Sequence, residues 1–192
     1  MVLYLSIIII SVIIISVCNI FFGGLTHSAW LIILMSAGGA VFEFAIDGIF
    51  AILVKIMPAK WFEKNGGIYN VSRLEQKFYA KIKVRAWKDK VWELGGMGGF
   101  RKNKLADPKN PEYIDTFLME SNKGVLIHIL GVIAGFCLVP VVGFVFSWKA
   151  AIQIAIPIAA VNVFLNCLSI FVLRYNTPKL LTLKKYLTKK AA

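Results

Sequence analysis

The sequence predicts an all-α membrane protein: four transmembrane helices, with an amphipathic, aromatic and basic cytoplasmic segment between helices two and three. Three observations carry this. The 192 residues are 58% hydrophobic, mean hydropathy is +0.73, and four runs reach the roughly 20 apolar residues that a hydrocarbon core requires. An ordinary soluble domain and a disordered chain are both excluded by that composition.

The runs cover residues 2–22, 29–57, 124–147 and 150–173 within one integral membrane domain, 1–192. No Lys or Arg precedes the first run and no small-residue cleavage pattern follows it, so it reads as a retained span rather than a secretory leader. Its isoleucines are poor helix formers in water, but in lipid a single segment satisfies its own backbone only as a helix. Cys18, Cys137 and Cys167 all fall inside apolar runs without metal or redox spacing, and read as small buried apolar side chains.

Charge sets the expected orientation. Of 22 Lys and Arg residues, 15 lie from Lys55 to Lys123 and six from Arg174 onward, while the turn at 23–28 has none. Positive residues stay inside, so both termini and the 58–123 segment are expected on the cytoplasmic face of the cell membrane. That segment carries Trp61, Tyr69, Phe78, Trp87 and Trp92, too many rings for a plain linker. Residues 71–92 read as an amphipathic helix in the headgroup plane, 93–110 as loop, and a further helix starts near Glu112 and runs into the third span.

Several residues could carry chemistry. Glycines 95, 96, 98 and 99 precede Arg101, Lys102 and Lys104, which would suit the phosphates of acyl-CoA or a lipid, although the pattern is no known phosphate fingerprint and a flexible turn is the competing reading. Glu43 and Asp47 stand four apart in the second span, as do Asn162 and Asn166 in the fourth. Those pairs either meet a substrate's hydroxyls or hold the bundle together. In "FLMESNKGVLIHIL", Glu120, Gly124 and His128 are successive i+4 positions. The Glu and His then flank a glycine notch, about 12 Å apart by helical rise, too far for a direct bond. A neutral His128 there could serve as general base, with Glu120 orienting a headgroup; an interfacial histidine bonded to a neighbouring helix is the alternative. Arg174 would sit at the membrane edge to hold an anion, pair with Glu120 or snorkel, and Pro178 should end simple helix just beyond it.

The ordered set "MPAKWF", "KVRAWKDK", Glu120 with His128 eight residues on, and Asn166 eight residues before "RYNTPKL" resembles the glycosyl-4,4'-diaponeurosporenoate acyltransferase family over about residues 58–180. The resemblance implies an enzyme that esterifies a sugar hydroxyl of a glycosylated carotenoid acid with a fatty acyl group. It also implies that Arg85, Trp87, Lys88, Glu120, His128, Asn166, Arg174, Tyr175, Asn176 and Pro178 fit the family pattern. The expectation is therefore acyl transfer to a glycosylated lipid or carotenoid. His128 and Glu120 are the candidate catalytic pair. Arg174, Asn176, Asn166, Arg85, Trp87, Lys88, Arg101 and Lys102 are the candidate substrate contacts. Expected partners are membrane lipids, an amphiphilic acceptor and an acyl donor, with acyl-CoA as co-substrate, no metal or cofactor, and no nucleic acid. A non-enzymatic four-span lipid-binding or scaffold subunit is the other class that the composition fits.

Overall fold

The computed structural model describes residues 2–64, 66–91 and 105–191. The described residues are overwhelmingly helical, and four stretches are long and apolar enough to cross a membrane: Tyr4–Phe21, Ala29–Ile56, Pro111–Val145 and Trp148–Lys190. This is a multi-pass membrane architecture. The chain forms two compact units, one from Met1–Ile52 with His128–Cys167, the other from Leu53–Ile127 with Leu168–Ala192.

The first unit contains α1 (Val2–Phe21) and α2 (Ala29–Ile56), the end of α5 (Pro111–Gly135), α6 (Leu138–Val145), α7 (Trp148–Ala150), a π-helical turn (Ala151–Ala155) and the start of α8 (Ile156–Ala191). Its core gathers Ile15, Ile32, Met35, Leu138, Val142, Ile154 and Ile158. Outward-facing Ile9, Ile10, Ile13, Ile14, Val41, Phe44 and Ile52 stay exposed, as lipid-facing side chains of spans do. The turn after α1 is fastened by three contacts: Asn19 donates to the Gln153 carbonyl at 3.1 Å, Gln153 to that of Gly23 at 3.1 Å, and Lys149 to that of Gly24 at 2.6 Å. Gly24 takes a φ of 57°, which a residue with Cβ adopts only at a cost.

The third span, expected as one helix over 124–147, breaks after Gly135. Pro140 explains it: proline has no N–H to give the Phe136 carbonyl and its ring crowds that group. Cys137 N–H turns instead to Ala134 at 2.9 Å, and α6 starts at Leu138.

The second unit holds the connection and both neighbouring helices. Ser72 caps α3 (Arg73–Lys81) by accepting from Glu75 N–H at 3.1 Å, as a Ser three residues before a Glu does. The expected single helix over 71–92 is not formed. Lys83 enters the left-handed region at φ 52°, and α4 (Val84–Trp87) and a 3-10 turn (Lys88–Lys90) follow on a new axis. The Trp87 indole N–H donates to the Ile82 carbonyl at 3.0 Å, satisfying a group that the break leaves over. The helix expected from Glu112 does start there, with the Asn110 side chain accepting from the N–H groups of Glu112 and Tyr113, and it continues as α5.

Pro178 does not end the fourth span; α8 continues through it to Ala191. Proline removes one helix bond, to the Arg174 carbonyl. Beyond it Leu180, with Leu181, Leu183 and Leu187 around it, packs on Ile114, Phe117 and Leu118 of α5, and Lys184 reaches Asp115 at 2.5 Å. That apolar burial holds the helix past the lost bond.

Candidate functional site

Four-residue spacing puts side chains on one helical face, and in the first unit three such faces meet. On α2 stand Glu43 and Asp47; on α8, Asn162 and Asn166; on α5, Gly131 and Gly135, the ends of a "GVIAG" stretch. Asn162 donates to Glu43 Oε2 at 2.9 Å and to the Gly131 carbonyl at 3.2 Å. Asn166 donates to Asp47 Oδ2 at 3.2 Å and to Asn162 Oδ1 at 2.7 Å. Glu43, Asn162 and Asn166 are buried. Ionisable groups at such depth need partners, and the matched spacing gives one to a single oxygen of each carboxyl, while Glu43 Oε1 and Asp47 Oδ1 are buried with no hydrogen-bond partner among the described residues.

The glycines make the approach possible. A Cβ on Gly131 would lie 2.1 Å from Asp47 Oδ1, and one on Gly135 would lie 2.5 Å from both Asn162 Nδ2 and Glu43 Oε2. Gly131→Ala is therefore expected to push Asp47 off Asn166 and destabilise the fold by about 1–3 kcal/mol, the usual range for overpacking. Gly48→Ala, where a Cβ meets nothing within 4 Å, is the control. Thermal midpoints of the two purified variants in one detergent would decide it; equal midpoints would contradict the packing argument.

His128 joins this cluster. Its Nδ1 lies 2.7 Å from Asn166 Oδ1, and the ring is half-buried. Since the Asn166 Nδ2 atom is turned to Asp47 and Asn162, the oxygen faces the ring and accepts from Nδ1–H. An imidazole protonated at Nδ1 carries its lone pair on Nε2. Asn166, expected as a substrate contact, is the node joining His128 to the carboxylates.

The other expected site residues lie in the second unit. Glu120 pairs with Lys123 at 2.7 Å, three residues along α5, and the Lys123 ammonium lies 5.9 Å from the Phe62 ring centre. Arg174 does not pair with Glu120. Its Nε and one terminal nitrogen grip both oxygens of Glu75, at 2.5 and 2.8 Å, and its remaining contacts are the carbonyls of Asn70, at 2.8 Å, and Ile68. Tyr79 donates its hydroxyl to the same carboxylate and stacks edge-on with Tyr175. Arg85 is exposed beside a depression of about 580 Å³ shared with Lys83 and Tyr175. Trp87 is half-buried, Lys88 pairs with Asp89 at 3.1 Å, and Asn176 is half-buried on α8. Arg101, Lys102 and the glycine-rich stretch lie outside the described residues.

The Arg174 guanidinium holds the Glu75 carboxyl below the usual range, aided by Tyr79 against the opposing effect of burial, while burial first and Glu75 second push the Tyr79 hydroxyl up. Because the folded-state value of Glu75 is the lower one, its stabilisation is complete above the ordinary 4.5 and is lost as pH falls through the folded value. Thermal midpoints should hold above pH 5 and fall below it, and in Glu75→Gln that acid-side loss should shrink.

A family model for glycosyl-4,4'-diaponeurosporenoate acyltransferase matches residues 58–185, two thirds of the chain. The chain belongs to that family. Neither a curated protein nor a solved structure matches it. The acyltransferase match takes in Glu75, Glu120, His128, Asn162, Asn166 and Arg174, but stops short of Glu43 and Asp47. The contribution of α2 to this acyltransferase is thus visible only in the three-dimensional arrangement. Sequence reasoning missed two features of it. Glu75 as the partner of Arg174 gave no signal beyond its place in a Ser-x-x-Glu cap, whereas the small-x-x-x-small "GVIAG" signal for close helix approach was readable.

Proposed function

We propose that this member of the family moves a fatty acyl group from acyl-CoA to a sugar hydroxyl of a glycosylated lipid or carotenoid at the cytoplasmic membrane face, with His128 as general base. The observation that carries this reading is the His128–Asn166 bond: a proton held on Nδ1 leaves Nε2 as the basic nitrogen. As the sugar oxygen attacks the thioester carbon, its proton passes to Nε2. The new C–O bond forms, the C–S bond breaks, and the thiolate recovers the proton from the imidazolium.

Arg174 is assigned a different task in this reading from anion capture. With its donors on Glu75, Ile68 and Asn70, it ties the 66–75 segment to α8. Donor phosphates then fall to Arg85, Lys88, Arg101 and Lys102, and Trp87, Asn176 and Glu120 to the headgroup side of the acceptor. Lipid mass spectrometry of cells lacking the protein, complemented with wild type or His128→Ala, tests the reading. Full restoration of the acylated product by the variant would overturn the base and favour a lipid-binding or scaffold role.

A further inference from the structure

Lys83 and Arg85 are two residues apart, and on one continuous helix that spacing turns side chains about 200° from each other, onto opposite faces. The break in the connection cancels this. With Lys83 at φ 52° and α4 on a new axis, both residues line the same depression of about 580 Å³, which lies wholly in the second unit. Ala80 and Ala86 add little bulk to its lining, and Tyr79 and Tyr175 form a wall that other contacts hold in place. The Tyr79 hydroxyl donates to Glu75, its ring meets that of Tyr175 edge-on at 6.5 Å, and the Lys179 ammonium stands 3.8 Å from the Tyr175 ring centre.

The charge of this depression is unanswered. Arg174, Lys123, Lys88 and Lys184 each meet a carboxylate, whereas Lys83 and Arg85 are exposed and have neither a hydrogen-bond nor an ion-pair partner among the described residues. A left-handed backbone is unfavourable for a residue with a Cβ, and a glycine would take it freely. Holding a lysine there, beside an arginine, on a concave surface of small-molecule size suits a ligand rather than the turn itself. We propose that the break at Lys83 builds a phosphate site: Lys83 and Arg85 bind the phosphate ester of an amphiphile, and Ala80, Ala86 and Tyr175 take its adjoining uncharged part. Arginine grips phosphate oxygens in pairs, and lysine adds a mobile point charge. Two sources offer that chemistry, the coenzyme A portion of an acyl donor and the headgroup of an anionic phospholipid. The first rests on the acyl-transfer reading above; the second does not.

Binding to the full chain in nanodiscs reads the site without turnover. Free coenzyme A is titrated in phosphatidylcholine discs, and retention of phosphatidylglycerol is read by native mass spectrometry from mixed discs. Lys83→Gly removes the cation but keeps the left-handed turn, so its thermal midpoint should stay near that of the wild type. Arg85→Gln leaves the break untouched and answers for the site even if glycine at 83 costs stability. Each variant is expected to weaken binding of at least one probe by about 5- to 10-fold, as for a charge-assisted contact at an exposed position. Lys81→Gln removes an equal charge from the end of α3, outside the depression, and should change binding by less than about twofold. Loss of coenzyme A binding identifies the ligand as the donor. Loss of phosphatidylglycerol alone keeps the phosphate site and takes Arg85 away from the donor. Unchanged binding of both probes in Lys83→Gly and Arg85→Gln, or an equal loss in Lys81→Gln, would overturn the proposal. Acyl transfer by His128→Ala is a separate measurement, so a failed base leaves these binding results standing.

Discussion

Replacing His128 by alanine is expected to lower acyl transfer by about 10²- to 10⁴-fold, the usual contribution of a positioned general base. The loss should fall on the turnover step. Removing the ring leaves Asn166 Oδ1 without its 2.7 Å contact, but Asn166 Nδ2 keeps Asp47 and two atoms of Asn162. The helices therefore retain most of their bonding, and the purified variant should melt near the wild-type temperature. His128→Gln sharpens the comparison, since its amide NH2 can restore a bond to Asn166 but brings no basic nitrogen. If the ring is the base, glutamine rescues stability and not rate, as judged by the acylated product formed per unit of folded protein. Equal rates for glutamine and histidine would sink the assignment.

The second large effect is expected at Arg174. Its side chain and that of Glu75 are 14% and 22% exposed, so the pair sits nearer the buried than the surface limit. Arg174→Met removes the charge that balances Glu75 and the donors that serve Asn70 and Ile68. Breaking one half of a buried pair costs about 3–5 kcal/mol, and the residual exposure places this one at the lower end, about 3 kcal/mol. Glu75→Gln/Arg174→Met should recover much of that loss, because no lone carboxylate is then left behind. Midpoints of thermal unfolding for the wild type, both single variants and the double variant give the coupling directly. Simple additivity of the two substitutions would show that the pair does not hold this unit.

The fold was readable where one physical rule dominates. A run of apolar residues long enough to cross a bilayer has few alternatives to helix, and each of the four runs falls in a helical stretch long enough to span, the third with a break after Gly135. Local chemistry read in isolation did less well. Pro178 looked like a terminator because a proline costs a helix bond, but Leu180 and the leucines after it gain contacts on Ile114 and Phe117 that a one-dimensional reading does not weigh. The helix expected over 71–92 failed in the opposite sense: its basic and apolar residues keep helical spacing, but Lys83 turns into the left-handed region. For the site, matched four-residue spacing on the second and fourth spans left substrate contact and bundle bonding both open, and the structure joins Glu43 to Asn162 and Asp47 to Asn166. The His128 contact with Asn166 and the grip of Arg174 on Glu75 join residues 38 and 99 positions apart. No local pattern encodes such pairs in a single sequence.

The π-helical turn at Ala151–Ala155 bears on how this chain can change over time. A π turn holds one more residue than the α-helical turn it replaces, and it absorbs that residue without rotating what lies on either side. Upstream, Ser147 keeps its cap on Ala150 at 3.1 Å; downstream, Asn162 and Asn166 keep their facing toward α2. Losing or gaining a residue between Ile156 and Asn162 would instead turn both asparagines by about 100°. Length variation among descendants of this sequence therefore has a natural place just before α8, in the five residues of that turn, while the stretch from there to Asn166 is held to a fixed count.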